Sequence, residues 1–167
     1  ACGENFEGQC DIPTLYGDVT YVNVAAGSEH TVLLRSDGAV VACGDNQEGQ
    51  CDIPALEGDM TYVQVAACRE QTVLLRRDGT ALACGKGGAY AIPALDGDKT
   101  YMQVAAGCDH TVLLRSDGTA VICGRGDAYA IPALDGDKTY MQVGAGLYHT
   151  LLIRSDGMAV ACGDNNE

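Results

Sequence analysis

The stretch "TYVNVAAGSEHTVLLRSDGAVVACG", Thr20 to Gly44, is followed by three more versions of itself. They are "TYVQVAACREQTVLLRRDGTALACG" (Thr61 to Gly85), "TYMQVAAGCDHTVLLRSDGTAVICG" (Thr100 to Gly124) and "TYMQVGAGLYHTLLIRSDGMAVACG" (Thr139 to Gly163). Successive copies start 41, 39 and 39 residues apart. Self-similarity at this period marks units that stack or are arranged radially, because one such unit cannot bury its apolar faces alone.

Within a unit, "TYVQVAA" is a short strand of β-branched and small residues, "HTVLLR" is a second apolar strand and "TAVICG" a third. The turn between the last two is Arg35-Ser36-Asp37-Gly38 in the first copy. Asp suits turn geometry, and Gly supplies the positive φ that closes a tight hairpin. Each unit therefore predicts a three-stranded meander, followed by a Gly-rich loop and a proline at Pro13, Pro54, Pro93 and Pro132. Helical periodicity is absent. The Ala-Ala-Gly ending of the first strand suits a crowded position where blades converge on an axis, which favours a propeller over an extended solenoid. The expected fold is all-β: a β-propeller-type array of four tandem three-stranded blades in one repeat domain, 1–167, with units at about 3–44, 45–85, 86–124 and 125–163. With no Trp and one Phe, packing must rest on aliphatic residues, Tyr and Cys. Burying one aliphatic side chain contributes about 1.5 to 3 kcal/mol.

The remaining totals narrow the function. A hydrophobic content of 47% suffices for a packed core. The net charge of −13, from 23 acidic and 10 basic side chains, argues against nucleic acid as a partner, because phosphates require Lys and Arg. No apolar run approaches the ~20 residues that span a bilayer, so no transmembrane segment is expected. No targeting segment identifies a compartment.

The order "VAAG..HTVLLRSDG.AVACGDN..GQ...P" resembles the repeat of the regulator-of-chromosome-condensation propellers. In that repeat a small-residue strand ends in Gly, His-Thr or His-Ser opens the next strand, and Trp-Gly precedes an Asn-x-x-Gly-Gln loop. The compact unit and its proline resemble in style the three-stranded-blade repeats of the seven-bladed β-lactamase-inhibitor type. The resemblance implies a propeller and, for function, an exchange factor, an inhibitor or a scaffold. Two departures stand out. The Trp before Gly is replaced by Cys2, Cys43, Cys84, Cys123 and Cys162. The family closes rings of about seven blades, so four units are expected to be part of a larger ring or to be completed by a partner, since open sheet edges invite pairing.

Comparison among the copies sorts the candidate sites. His30, His110 and His149 share one position, which Gln71 takes in the second copy. A metal ligand or general base would not survive replacement by an amide, whereas a buried hydrogen-bonding group would, so all four are read as structural. Cys43, Cys84, Cys123 and Cys162 are read as small buried hydrophobes, because the second cysteine of the Cys2/Cys10 and Cys43/Cys51 spacings becomes Ala91 and Ala130 in later copies. A local disulfide in the first two loops is the competing reading. Acidic turns such as Leu95 to Lys99 lack the ligand spacing of a calcium loop. Ser36, Ser116 and Ser155 sit in hairpin turns, and no nucleophile, base and orienting group recur together. No catalytic residue, cofactor or metal is expected.

Two places vary most among the copies. One is the pair after Ala-Ala-Gly/Cys: Ser28-Glu29, Arg69-Glu70, Cys108-Asp109 and Leu147-Tyr148. The other is the loop after Cys-Gly. Equivalent loops of a radial repeat share a face, so Tyr148, Leu147, Arg69, Glu70, Tyr90, Tyr129 and Phe6 are the candidate protein-interface residues. The expected function is a non-catalytic protein-interaction or assembly module, a peripheral subunit of a larger complex. Its partner would be other repeats, another copy or the subunits of that complex. The alternatives are a regulatory propeller segment of an exchange factor or ubiquitin-ligase accessory domain, and a secreted enzyme inhibitor.

Overall fold

The computed structural model describes residues 1–86, 91–124 and 130–163. Among these, twelve strands form four three-stranded antiparallel sheets. Blade 1 contains β1 (Tyr21–Ala26), β2 (His30–Arg35) and β3 (Val40–Gly44). Blade 2 contains β4 (Tyr62–Cys68), β5 (Gln71–Arg76) and β6 (Ala81–Gly85). Blade 3 contains β7 (Tyr101–Ala106), β8 (His110–Arg115) and β9 (Ala120–Gly124). Blade 4 contains β10 (Tyr140–Ala145), β11 (His149–Arg154) and β12 (Ala159–Gly163). Each is a meander with its middle strand at the centre of the sheet. The all-β blade array expected from the repeat is the architecture the chain adopts.

The turn between second and third strands follows from its residues. The Gly38 amide donates to the Arg35 carbonyl (3.0 Å), and the Arg35 amide donates back to the Ala39 carbonyl (2.8 Å). Gly38 occupies the left-handed region at φ 81°, as the residue after a type I turn must in a three-residue hairpin loop. The Asp37 carboxylate accepts from the Ala39 amide (3.1 Å), and Asp78, Asp117 and Asp156 repeat that bond. Ser36 ties the turn to the start of the blade: its amide donates to the Thr20 carbonyl (2.8 Å), and its hydroxyl accepts from the Thr20 amide (3.1 Å). Arg77 makes the equivalent connection in blade 2, its Nε donating to Thr61 Oγ1 at 3.1 Å.

The same glycine joins one blade to the next. The Gly38 carbonyl accepts from the Tyr62 amide (2.9 Å), Gly79 from Tyr101 (2.8 Å) and Gly118 from Tyr140 (2.7 Å). A Cβ at Gly38, Gly79 or Gly118 would lie 2.3 to 2.4 Å from the Cβ of Thr61, Thr100 or Thr139.

Each blade has a trailing face, toward the following blade, and a leading face. Alternation along the central strand allots residues to the two. Val32 and Leu34 point from the trailing face of blade 1 onto Tyr62, Val65 and Leu74 of blade 2. Val73 and Leu75 meet Tyr101, Val104 and Leu113, and Val112 and Leu114 meet Tyr140, Val143 and Leu152, in the same way. Each seam is a separate apolar core. The first-strand tyrosine also anchors the preceding loop, because Tyr62, Tyr101 and Tyr140 donate their hydroxyls to the carbonyls of Pro54, Pro93 and Pro132 (2.7 to 2.8 Å).

Gly79→Ala therefore meets both a left-handed φ and a neighbouring blade, whereas Gly97→Ala, at φ 62°, meets open space. Denaturant melts should show Gly97→Ala losing about 1 to 2 kcal/mol from backbone strain alone, and Gly79→Ala losing clearly more.

Candidate functional site

The recurring His/Gln position lies inside the seams. His30 is buried on the trailing face of blade 1, with Nε2 2.9 Å from Thr72 Oγ1 of blade 2. The Thr72 hydroxyl donates its one proton to the Gln50 carbonyl (2.8 Å), so it accepts from His30 Nε2–H. In the next seam the Gln71 amide nitrogen donates to Thr111 Oγ1, and in the third His110 Nε2 lies 3.0 Å from Thr150 Oγ1. An amide substitutes for an imidazole here because the task is to donate one hydrogen bond between blades. Burial pushes the His30 and His110 imidazoles below their ordinary pKa, more than the Arg69 carbonyl (His30) and Asp109 (His110) restore. His149, at the equivalent place in blade 4, is exposed.

All nine cysteines are free. Cys43 Sγ lies 3.7 Å from the Gln9 carbonyl, and Cys84 Sγ lies 3.6 Å from the Gln50 carbonyl. The third-strand cysteine thus packs beside the loop leading into its own blade, Cys43 next to Cys10 in blade 1 and Cys84 next to Cys51 in blade 2. Burial raises the Cys43 and Cys162 thiols and pushes Cys51, Cys84 and Cys123 up to about 11. At neutral pH these groups are protonated and behave as small apolar side chains. Among the described residues, no group of three or more His, Cys, Asp or Glu is placed to hold a metal ion.

The two variable segments meet at one end of the blades. The Asp45 amide, in the loop after β3, donates to the carbonyl of Glu29 at the β1–β2 tip (2.8 Å). The Lys86 amide donates to the Glu70 carbonyl (2.9 Å), and Lys86 Nζ pairs with the Glu70 carboxylate at 3.1 Å. Neighbouring tips are also linked: the Ser28 amide donates to the Arg69 carbonyl (3.2 Å), and the Cys108 amide to the Leu147 carbonyl (3.1 Å). Between blades 2 and 3 the Arg69 guanidinium donates to Cys108 Sγ at 2.9 Å. Arg69 has a positive φ of 48°, which turns its tip between these neighbours. The outcome is a continuous rim. Arg69, Glu70, Leu147 and Tyr148 lie on it, with Leu147 and Tyr148 exposed. Phe6 is exposed in the loop before blade 1. Tyr90 and Tyr129 lie outside the described residues. The turns containing Asp37, Asp78, Asp117 and Asp156 occupy the opposite end, where residues recur almost unchanged.

One working set was missed by reading the chain alone. Gln64 of blade 2 clamps the backbone of blade 3, its Nε2 donating to the Val104 carbonyl (2.9 Å) and its Oε1 accepting from the Val104 amide (3.0 Å). Gln103 Oε1 accepts from the Val143 amide (2.9 Å). The signal was present, because Asn23, Gln64, Gln103 and Gln142 recur in register within apolar strands.

The blades and their seams define a β-propeller array. Two segments of the chain, residues 21–50 and 142–167, match the family model described as the regulator of chromosome condensation (RCC1) repeat. No curated protein matches the chain in sequence. Human WBSCR16 superposes with a TM-score of 0.80 at 20% identity, over 98% of this chain and 56% of that one. Prp20p from Saccharomyces cerevisiae gives 0.73 at 20% identity, over 91% and 47%. The CRINKLY WD40 ectodomain of the Arabidopsis thaliana receptor kinase ACR4 gives 0.71 at 19%, over 89% and 55%. The chain thus spans about half the length of these solved structures.

Two measurements follow from the seam chemistry. Because folding lowers the His30 and His110 pKa values, the unfolded chain binds more protons below about pH 6.5, and stability should fall as pH drops from 7 to 5. The turn aspartates act in a separate window: their pKa values are lowered, first by hydrogen bonds from the Ala39 amide (Asp37), the Thr80 hydroxyl (Asp78), Lys99 (Asp117) and Arg154 (Asp156). Their stabilisation is lost only below about pH 4. Replacing His30 and His110 together by Gln should flatten the dependence between pH 7 and 5 in denaturant melts. Separately, alkylation at pH 8 followed by mass spectrometry should show Cys84 and Cys123 reacting about a hundredfold more slowly in the folded chain than in the unfolded one, from their loss of thiolate, while exposed Cys2 reacts readily.

Proposed function

We infer that the chain is a protein-interaction module that engages its partner through the rim formed by the β1–β2 tips and the loops after each third strand. The observation that carries this reading is the Asp45–Glu29 and Lys86–Glu70 pairing, which brings both variable segments to one end while the opposite end keeps its Arg-Ser/Arg-Asp-Gly turns. Variation concentrated on one edge of a rigid frame is how loop-borne recognition is built. Leu147 and Tyr148 supply exposed apolar and amphipathic area on the rim, and Arg69 supplies a cation held in place by Cys108. Aromatic and Arg side chains of this kind anchor protein interfaces. A further support is Prp20p, whose crystal structure is described together with its binding properties to Gsp1p and histones. The repeat type and the fold support an interaction or regulatory role for the propeller, and the chemistry of the rim fits a protein surface of mixed charge. The exposed pair on blade 4 marks the strongest part of the contact.

A photo-crosslinking amino acid at Tyr148 should capture a discrete protein from the native source, and Leu147→Asp should abolish that product without changing the melting temperature. Capture equal to that from the same probe at Tyr16, exposed in the loop before blade 1, would reject the rim as the binding surface.

A further inference from the structure

Blades 2 and 3 carry cysteines where the other copies of the unit have none. Cys68 stands in the place of Gly27, Gly107 and Gly146, and Cys108 in the place of Ser28, Arg69 and Leu147. The glycine place is a tight one. A Cβ at Gly27 or Gly107 would lie 2.1 or 2.2 Å from Cε1 of His30 or His110 in the same blade, and 2.7 or 2.9 Å from the carbonyl oxygen of Arg69 or Gly146 in the next. A side chain here therefore points at the tip of the following blade and competes with the imidazole for space. Blade 2 changes both residues together: Cys68 supplies the Cβ, and Gln71 replaces the ring. The thiol is thus accommodated at a seam position that the other blades keep bare, facing the tip that holds Cys108.

The chemistry of that tip is also particular to this seam. The Arg69 guanidinium donates to Cys108 Sγ at 2.9 Å, and the Arg69 amide, turned by its φ of 48°, hydrogen-bonds Cys68 Sγ. Both the Arg69 charge and Cys108 act electrostatically on Cys68, so the two sulfurs and the cation form one cluster. Burial is the strongest influence on Cys68 and raises its pKa, which keeps it a thiol at neutral pH. The nearest carboxylate in sequence, Glu70, is engaged by Lys86 at 3.1 Å. Cys108 is 6% exposed, Cys68 is half-buried and Arg69 is exposed. A guanidinium hydrogen bond to sulfur strengthens when the sulfur becomes a thiolate, and the thiolate is the nucleophile in thiol oxidation.

We propose that Cys108 and Cys68 form a reactive dithiol that a hydroperoxide converts into a disulfide between blades 3 and 2. Cys108 loses its proton to solvent and is held as a thiolate by Arg69. Its sulfur attacks one oxygen of hydrogen peroxide; the O–O bond breaks, an S–O bond forms, and the departing hydroxide takes up a proton to leave as water. The product is a sulfenic acid at Cys108. The Cys68 sulfur then attacks Cys108 Sγ, the S–O bond breaks, and hydroxide leaves with the Cys68 proton as a second water. Two thiols are oxidised by two electrons and one peroxide is reduced. Arg69 is the positioning residue. The disulfide joins adjacent blades and stands independently of what the rim binds.

The native chain should be treated with one equivalent of hydrogen peroxide, blocked with an alkylating agent, and cleaved after Glu, Lys and Arg without reduction. This digestion isolates Cys68 in residues 58–69 and Cys108 in residues 100–115. Mass spectrometry should find these two peptides joined, ahead of any disulfide to exposed Cys2. In Cys68→Ser, dimedone added with the peroxide should label the peptide of residues 100–115, because the sulfenic acid has lost its resolving thiol. In Cys108→Ser, the peptide of residues 58–69 should stay unlabelled. Arg69→Met should slow disulfide formation in the otherwise native chain about tenfold, and Arg69→Lys should restore part of the rate. Absence of the joined peptides from the native chain overturns the proposal, as does their appearance no sooner than Cys2 disulfides. Dimedone on Cys68 rather than Cys108 overturns the assigned roles, and an Arg69→Met chain that oxidises at the native rate overturns the role of the guanidinium.

Discussion

Everything in this protein depends on the seam between blades. A three-stranded sheet has two apolar faces and too little mass to cover either, so each blade relies on its neighbour to bury the face turned toward it. The seam combines three kinds of contact. Val32 and Leu34 on Tyr62, Val65 and Leu74 remove apolar area from water. The His30–Thr72–Gln50 relay and the Gln64 clamp satisfy polar groups that burial would otherwise leave stranded. The Gly38–Tyr62 bond sets the height at which one blade meets the next. The apolar contacts supply adhesion without direction. The polar contacts supply register.

This arrangement separates stability from recognition along each blade. One end holds the hairpin turns, where Ser or Arg77, Asp and Gly all have assigned backbone bonds and a change breaks a contact. The other end holds the tips and third-strand loops, which are joined to one another by backbone amide-to-carbonyl bonds. Leu147 can stand where Ser28 and Arg69 stand because the link is made by its carbonyl. Side-chain chemistry on the rim is therefore free to diversify while the frame beneath it stays constant.

Much of the fold was legible in the chain because the repeat reports on itself. The meander, its turn and the order of three strands per unit follow from a period-2 apolar pattern and one Asp-Gly turn read in four registers. The placement of Gln71 among three histidines limits that position to hydrogen bonding, and its partner is Thr111. The cysteines were harder. The Cys2/Cys10 and Cys43/Cys51 spacings left a local disulfide competing with the reading of buried apolar cysteines; Cys43 packs by the loop of its own blade, beside Cys10, and every thiol is free. Spacing could not show this, since the approach is made by a return of the chain thirty-odd residues later. The glutamines at Gln64 and Gln103 were overlooked for a related reason: a polar residue in an apolar strand looks solvent-facing until the neighbouring blade is placed over it.

The sequence by itself determined the unit: how many strands it has, where its turn lies, which positions can change and which cannot. These are local properties, set by backbone preference and by alternation along a strand. Tertiary structure alone decided which faces meet and that both variable segments share one rim. Those outcomes depend on the rotation from one blade to the next, a quantity held by contacts between residues some forty positions apart, such as His30 and Thr72, and carried by no single stretch of the chain.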